Sequence, residues 1–137
     1  NLWTTSIKIF TDHPLFGIGE DNFDYYFPLY KVPGFYDTAA HPHNDYLNAL
    51  IASGIPGLAA YVAMWLIALA SGWRTWKHST EPVVRGLSLG ATSSLMVFMI
   101  GALFQDYYGT FINCWLWWFI VGILVTLDLL EKGKAIK

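Results

Sequence analysis

The stretch that decides the fold is residues 55–73, IPGLAAYVAMWLIALASGW, which carries no charged side chain. As a helix rising 1.5 Å per residue it comes close to the ~30 Å of hydrocarbon in a bilayer. Two more charge-free stretches, Gly86–Phe104 and Phe111–Leu127, have the same character. A soluble domain of 137 residues would lack the surface to cover three such helices. Composition agrees, with 55% of residues hydrophobic, 13% charged and a mean hydropathy of +0.40. The expected fold class is therefore all-α integral membrane. An extracytoplasmic loop with short amphipathic helices (1–54) precedes three transmembrane helices (55–130) and a cytoplasmic tail (131–137).

The basic residues orient these spans. Arg74, Lys77 and Arg85 flank the first connection, and Lys132, Lys134 and Lys137 follow the third span. On the other side Lys8 and Lys31 are outnumbered by Asp12, Glu20, Asp21, Asp24, Asp37, Asp45 and Asp106. Lys/Arg-rich short loops face the cytoplasm, which places residues 1–54 and the 105–110 turn outside it. Trp73 and Trp76 mark the cytoplasmic edge, and Tyr107, Tyr108, Trp115, Trp117 and Trp118 the external one.

A formal charge of −2 and the lack of a basic stripe exclude a nucleic-acid partner. Cys114 stands alone and suits packing better than redox work. The chain opens Asn1-Leu2-Trp3 with no basic leader. It is expected to be the C-terminal piece of a larger polytopic protein.

Ahead of the first span, Tyr46, Leu47, Leu50 and Ile51 form one apolar face of a short boundary helix. Gly54 suits the C′ position of that helix, and Pro56 the first turn of the next. Leu2, Trp3, Ile7 and Phe10 predict an amphipathic helix ending before His13-Pro14, followed by a turn at Gly17-Ile18-Gly19. Residues 23–36 are crowded with aromatics, and Pro28, Pro33 and Gly34 break any long helix there. Tyr25, Tyr26 and Tyr30 fit either an interfacial belt or a platform for sugar faces. Gly86 and Gly90, four apart, suit a close helix contact.

The chemistry concentrates in His41-Pro42-His43-Asn44-Asp45, at the mouth of the boundary helix. An imidazole titrating near pH ~6.5 can take a proton from an attacking hydroxyl. The field at a helix N-terminus disfavours imidazolium, and its free amides can hold phosphate oxygens. His43 is thus the first catalytic candidate, against the plainer role of a capping or packing group. Asn44 either caps the helix or orients a sugar hydroxyl. His41 and Asp45 are candidate substrate contacts, and Asp106 beside Gln105 either faces the same pocket or is a solvated turn residue. The alternate spacing of His41, His43 and Asp45 is no specific zinc signature, so no metal or other cofactor is expected. His13 and His78 read as structural or solvent-facing.

These residues resemble the C-terminal part of the O-antigen ligase and O-antigen polymerase superfamily of bacterial membrane glycosyltransferases. The resemblance rests on Leu2-Trp3, on the segment from Asp12 to Gly19, and on His43-Asn44, nine residues, then Gly54-Ile55-Pro56-Gly57-Leu58. Leu58 stands where ligases often carry threonine. The resemblance implies transfer from an undecaprenyl-diphosphate-linked glycan to an acceptor hydroxyl in the inner membrane, with His43 acting on the acceptor and no metal required. Ligation of O-antigen to lipid A–core is the favoured reaction. O-antigen or exopolysaccharide polymerisation and protein O-glycosylation are the alternatives, and a segment transporting lipid-linked glycan is the non-enzymatic one. The family's diphosphate-binding arginines have no counterpart here, since Arg74 and Arg85 are expected on the cytoplasmic side. Residues 1–137 are therefore expected to need N-terminal transmembrane helices, within membrane lipid, for activity.

Overall fold

The computed structural model describes residues 2–31, 41–107 and 111–135. Asn1, Pro33, Gly34, Asp37, Tyr108 and Lys137, named above, lie outside the described residues. Five helices follow one another: α1 (Leu2–Asp12), α2 (Phe23–Tyr30), α3 (Asp45–His78), α4 (Pro82–Gly101) and α5 (Phe111–Ala135). Segments of α3, α4 and α5, namely Asp45–His78, Pro82–Gly101 and Cys114–Gly133, are long and apolar enough to span a membrane. At most 28% of the apolar window in any of them is buried. Their exposed apolar faces therefore call for lipid or further protein.

The chain divides into two compact units. One comprises residues 1–62 with 101–107, the other residues 63–100 with 108–137. The core of the first gathers Ile9, Phe23, Phe27 and Ile51, with Leu2, Phe10, Ile18, Tyr26 and Tyr30 packed around it. Each such buried side chain contributes about 1.5–3 kcal/mol. The packed face of α1 is Thr5, Ser6 and Ile9, while Trp3 and Ile7 point outward. Of the expected apolar face, Leu2 and Phe10 thus pack against the core and only Trp3 and Ile7 do not. Pro28 sits inside α2 rather than ending it, and Lys31 N–H closes that helix by donating to Phe27 O.

In the second unit Trp65 meets Trp117 edge-on, with ring centroids 4.7 Å apart, and Ala68, Leu95 and Leu124 are also buried there. The close approach expected at Gly86 and Gly90 occurs elsewhere: both glycines face open space. At Gly72, instead, an added Cβ would overlap the Thr92 side chain, and the Ser88 hydroxyl donates to Gly72 O at 2.7 Å. Arg74 donates to both carboxylate oxygens of Asp128, at 3.3 and 2.9 Å, and Lys132 adds a third bond at 2.7 Å.

Candidate active site

α3 is a boundary helix and a long span joined at Gly54, whose φ of 66° and ψ of −163° are not helical. This backbone conformation is essentially confined to glycine. The break diverts Ile55 N–H away from its helical acceptor Ile51 O, and Pro56 has no N–H to offer Ala52 O. The 14–19 loop supplies the missing partners. Ile18 N–H donates to Ile51 O at 2.8 Å, Gly19 N–H to Ala52 O at 2.9 Å, and Ile55 N–H to Pro14 O at 2.9 Å. Gly17, at φ 67°, lies so close to Ala52 that a Cβ would meet its carbonyl. The turn expected at Gly17-Ile18-Gly19 is thus a clasp that completes the hydrogen bonding of a broken helix.

The other end of the boundary helix is equally pinned. Asn44 Oδ1 accepts Leu47 N–H at 2.9 Å, an N-cap bond, while its Nδ2 donates to Leu103 O at 3.0 Å. Asp45 N–H donates to Ala102 O at 2.8 Å. Two amides of the first turn are therefore already engaged, which removes much of the anion cradle anticipated there. Asp45 itself is buried, and its Oδ2 accepts the Tyr61 hydroxyl at 3.4 Å.

This pinning presents His43. Its backbone adopts a left-handed φ of 52° and its residue is exposed, between buried Pro42 and buried Asn44. The His41 and His43 rings meet edge to face at 4.3 Å, and His41 Nδ1 lies 3.6 Å from Asp106 Oδ2. The candidates His41, His43, Asn44, Asp45 and Asp106 thus form one cluster within the first unit. Glu20 lies near enough to Asp106 to feel its charge: its carboxyl pKa is raised from the ordinary value by burial, then by Asp21 and Asp106. Glu20 directly follows Gly19, whose N–H is held on Ala52 O, so the clasp fixes the backbone next to it.

The three tyrosines gather instead near the end of α1. Tyr30 donates its hydroxyl to Asp12 Oδ2 at 2.7 Å, which raises the phenol pKa above its ordinary value. Tyr26 packs against His13 with centroids 5.4 Å apart, and Tyr25 is 70% exposed. Of the three, Tyr25 presents the most surface to a ligand.

The N-cap makes a separate prediction. Asn44→Ala removes the cap and the bond to Leu103 O together, so it should destabilise the protein by about 1–2 kcal/mol. Asn44→Asp keeps the cap and should recover part of that loss. Thermal melting of the solubilised protein checks both, and equal melting of the alanine variant and the parent would contradict the capping role.

Three helices long and apolar enough to cross a membrane, with a histidine pair on the segment ahead of the first of them, are consistent with a polytopic membrane protein. Comparison with known families gives that class a relation: the O-antigen ligase family matches residues 1–62. The O-antigen ligase of Pseudomonas aeruginosa is 30% identical over 96 residues, a region covering 66% of this chain and 23% of that protein. The chain thus spans about a quarter of the length of the curated relative it matches. The relation to this family is distant and partial, and the matched residues include the clasp, the Gly54 break and His43.

Proposed function

We propose that the chain forms part of an enzyme transferring glycan from an undecaprenyl diphosphate carrier to an acceptor hydroxyl, with lipid A–core as the acceptor. Residues 1–54 face the outside of the bacterial inner membrane, as the Lys/Arg distribution favours. His43 takes the proton of the acceptor hydroxyl. The freed oxygen attacks the anomeric carbon, the bond from that carbon to the diphosphate oxygen breaks, and the carbon inverts. His41 and Asp106 flank the acceptor side, Asn44 and Asp45 hold the segment in place, and Tyr25 offers a face to sugar rings, with Tyr26 and Tyr30 behind it. Residues 1–62 contain no arginine, so neutralising the departing diphosphate falls to groups supplied by other helices of the enzyme.

The observation that carries this reading is the exposed imidazole of His43 on a doubly pinned segment, inside the region that matches the ligase family. Preorganisation of this kind lets a general base act without first being ordered.

The test is an assay of the full-length protein with undecaprenyl-diphosphate-linked glycan and each acceptor separately. Lipid A–core should become glycosylated fastest. Lengthened lipid-linked glycan as the sole product would replace ligation by polymerisation, and glycosylated protein would indicate an oligosaccharyltransferase. Movement of the lipid-linked glycan across the membrane without transfer would leave transport as the function.

A further inference from the structure

The second unit holds a cleft of about 430 Å³ at the polar ends of α3 and α5. Its lining mixes both signs of charge, with Arg74 and Lys132 against Asp128 and Glu131. Taken together these four leave no net charge. Asp128 draws the two cations into one place, yet Arg74 and Lys132 remain about half exposed. Each keeps N–H groups beyond those given to Asp128, because a guanidinium has five donors and an ammonium three. Thr80 and His78 extend the polar wall.

The second observation is Thr75. It lines the cleft and is only 2% exposed, and its hydroxyl has no hydrogen-bond partner. A buried hydroxyl left unpaired is destabilising, and such groups in native proteins ordinarily find a partner. The cleft also lies at a specific depth. Arg74 and Asp128 fall near the ends of two segments of membrane-spanning length, next to the paired rings of Trp73 and Trp76. Tryptophans of this kind mark the headgroup layer.

We infer that this cleft binds a zwitterionic phospholipid headgroup, one that carries a phosphate and a primary ammonium. The phosphate oxygens accept from Arg74, Lys132 and the Thr75 hydroxyl, and the ammonium donates to Glu131. Charge balance selects this headgroup: an anionic lipid would place its charge beside two carboxylates with no ammonium to compensate. A free phosphate would meet the same opposition and would lack an acyl chain to hold it at this depth. The site is independent of the transfer reaction proposed above.

Native mass spectrometry of the full-length protein in detergent tests it, with phosphatidylethanolamine, phosphatidylglycerol and inorganic phosphate offered in turn. Phosphatidylethanolamine should be retained at least about five-fold better than phosphatidylglycerol. Thr75→Val, which keeps the side-chain shape, should lower that retention about five-fold, the equivalent of one hydrogen bond. Glu131→Gln should shift the preference toward phosphatidylglycerol, a reversal that simple misfolding would not produce. Equal retention of the two lipids by the parent protein would overturn the inference. So would retention of inorganic phosphate alone, or a lipid preference unchanged in both variants.

Discussion

Gly54→Ala should unfasten the first unit, lowering stability by roughly 3 kcal/mol or more and abolishing activity with it. Two effects add. A side chain at φ 66° with ψ −163° occupies a region that L-residues avoid at about 1–3 kcal/mol. The new Cβ would also meet the carbonyl group of Leu15, which is backbone and cannot rotate aside. Relief requires the 14–19 loop to withdraw, which breaks the bonds from Ile55 N–H to Pro14 O, Ile18 N–H to Ile51 O and Gly19 N–H to Ala52 O. Ala52 O would then be left unpaired next to a proline that cannot serve it. Thermal melting and limited proteolysis of the solubilised protein check this, with cleavage expected first in the 14–19 loop. A variant that melts with the parent and resists protease equally would show that the break tolerates a side chain. Gly57→Ala is a poor control, because its Cβ would crowd the Ser53 side chain. Gly86→Ala, facing open space, is a good one.

This break shows how far the residues alone could be read. Gly54 and Pro56 announce it by their chemistry, and the three charge-free stretches announce the helices of membrane-spanning length. The partners of the break could not be read in the same way. They are two backbone N–H groups and one carbonyl more than thirty residues upstream, and a backbone group has no sequence signature. For Asp106 the sequence left open whether it faces the histidine pocket or solvent, and the approach of Glu20 to it was hidden, because both depend on where distant loops are brought. Helix faces misled in another manner. In a soluble protein Trp3 and Ile7 would be expected inward, but in a membrane chain the side away from the protein core is apolar as well, so periodicity loses its direction. Gly86 and Gly90 illustrate the same ambiguity, since small residues are frequent in membrane helices whether or not a neighbour approaches. The packing at Gly72 was set by Ser88 and Thr92, whose hydroxyls turn to backbone carbonyls.

His43→Ala should lower glycan transfer by about 10²–10⁴-fold, the range for loss of a general base. The side chain is exposed, and the bonds that pin its segment run through Asn44 and Asp45, so the fold should survive its removal. Alanine at φ 52° is mildly disfavoured. His43→Asn, a residue that tolerates this backbone conformation, therefore separates loss of the base from backbone effects. Both variants should be inactive if the imidazole does the chemistry. His41→Ala should reduce the rate less, since it would act on His43 through ring contact and on the acceptor only from the flank.

The most direct measurement is single-turnover transfer by the full-length His43→Asn protein, loaded with undecaprenyl-diphosphate-linked glycan and then given lipid A–core. Donor binding at the level of the parent, with product formation slowed by at least about a hundred-fold, is the predicted result. Product appearing at the parent rate would contradict a base at this position.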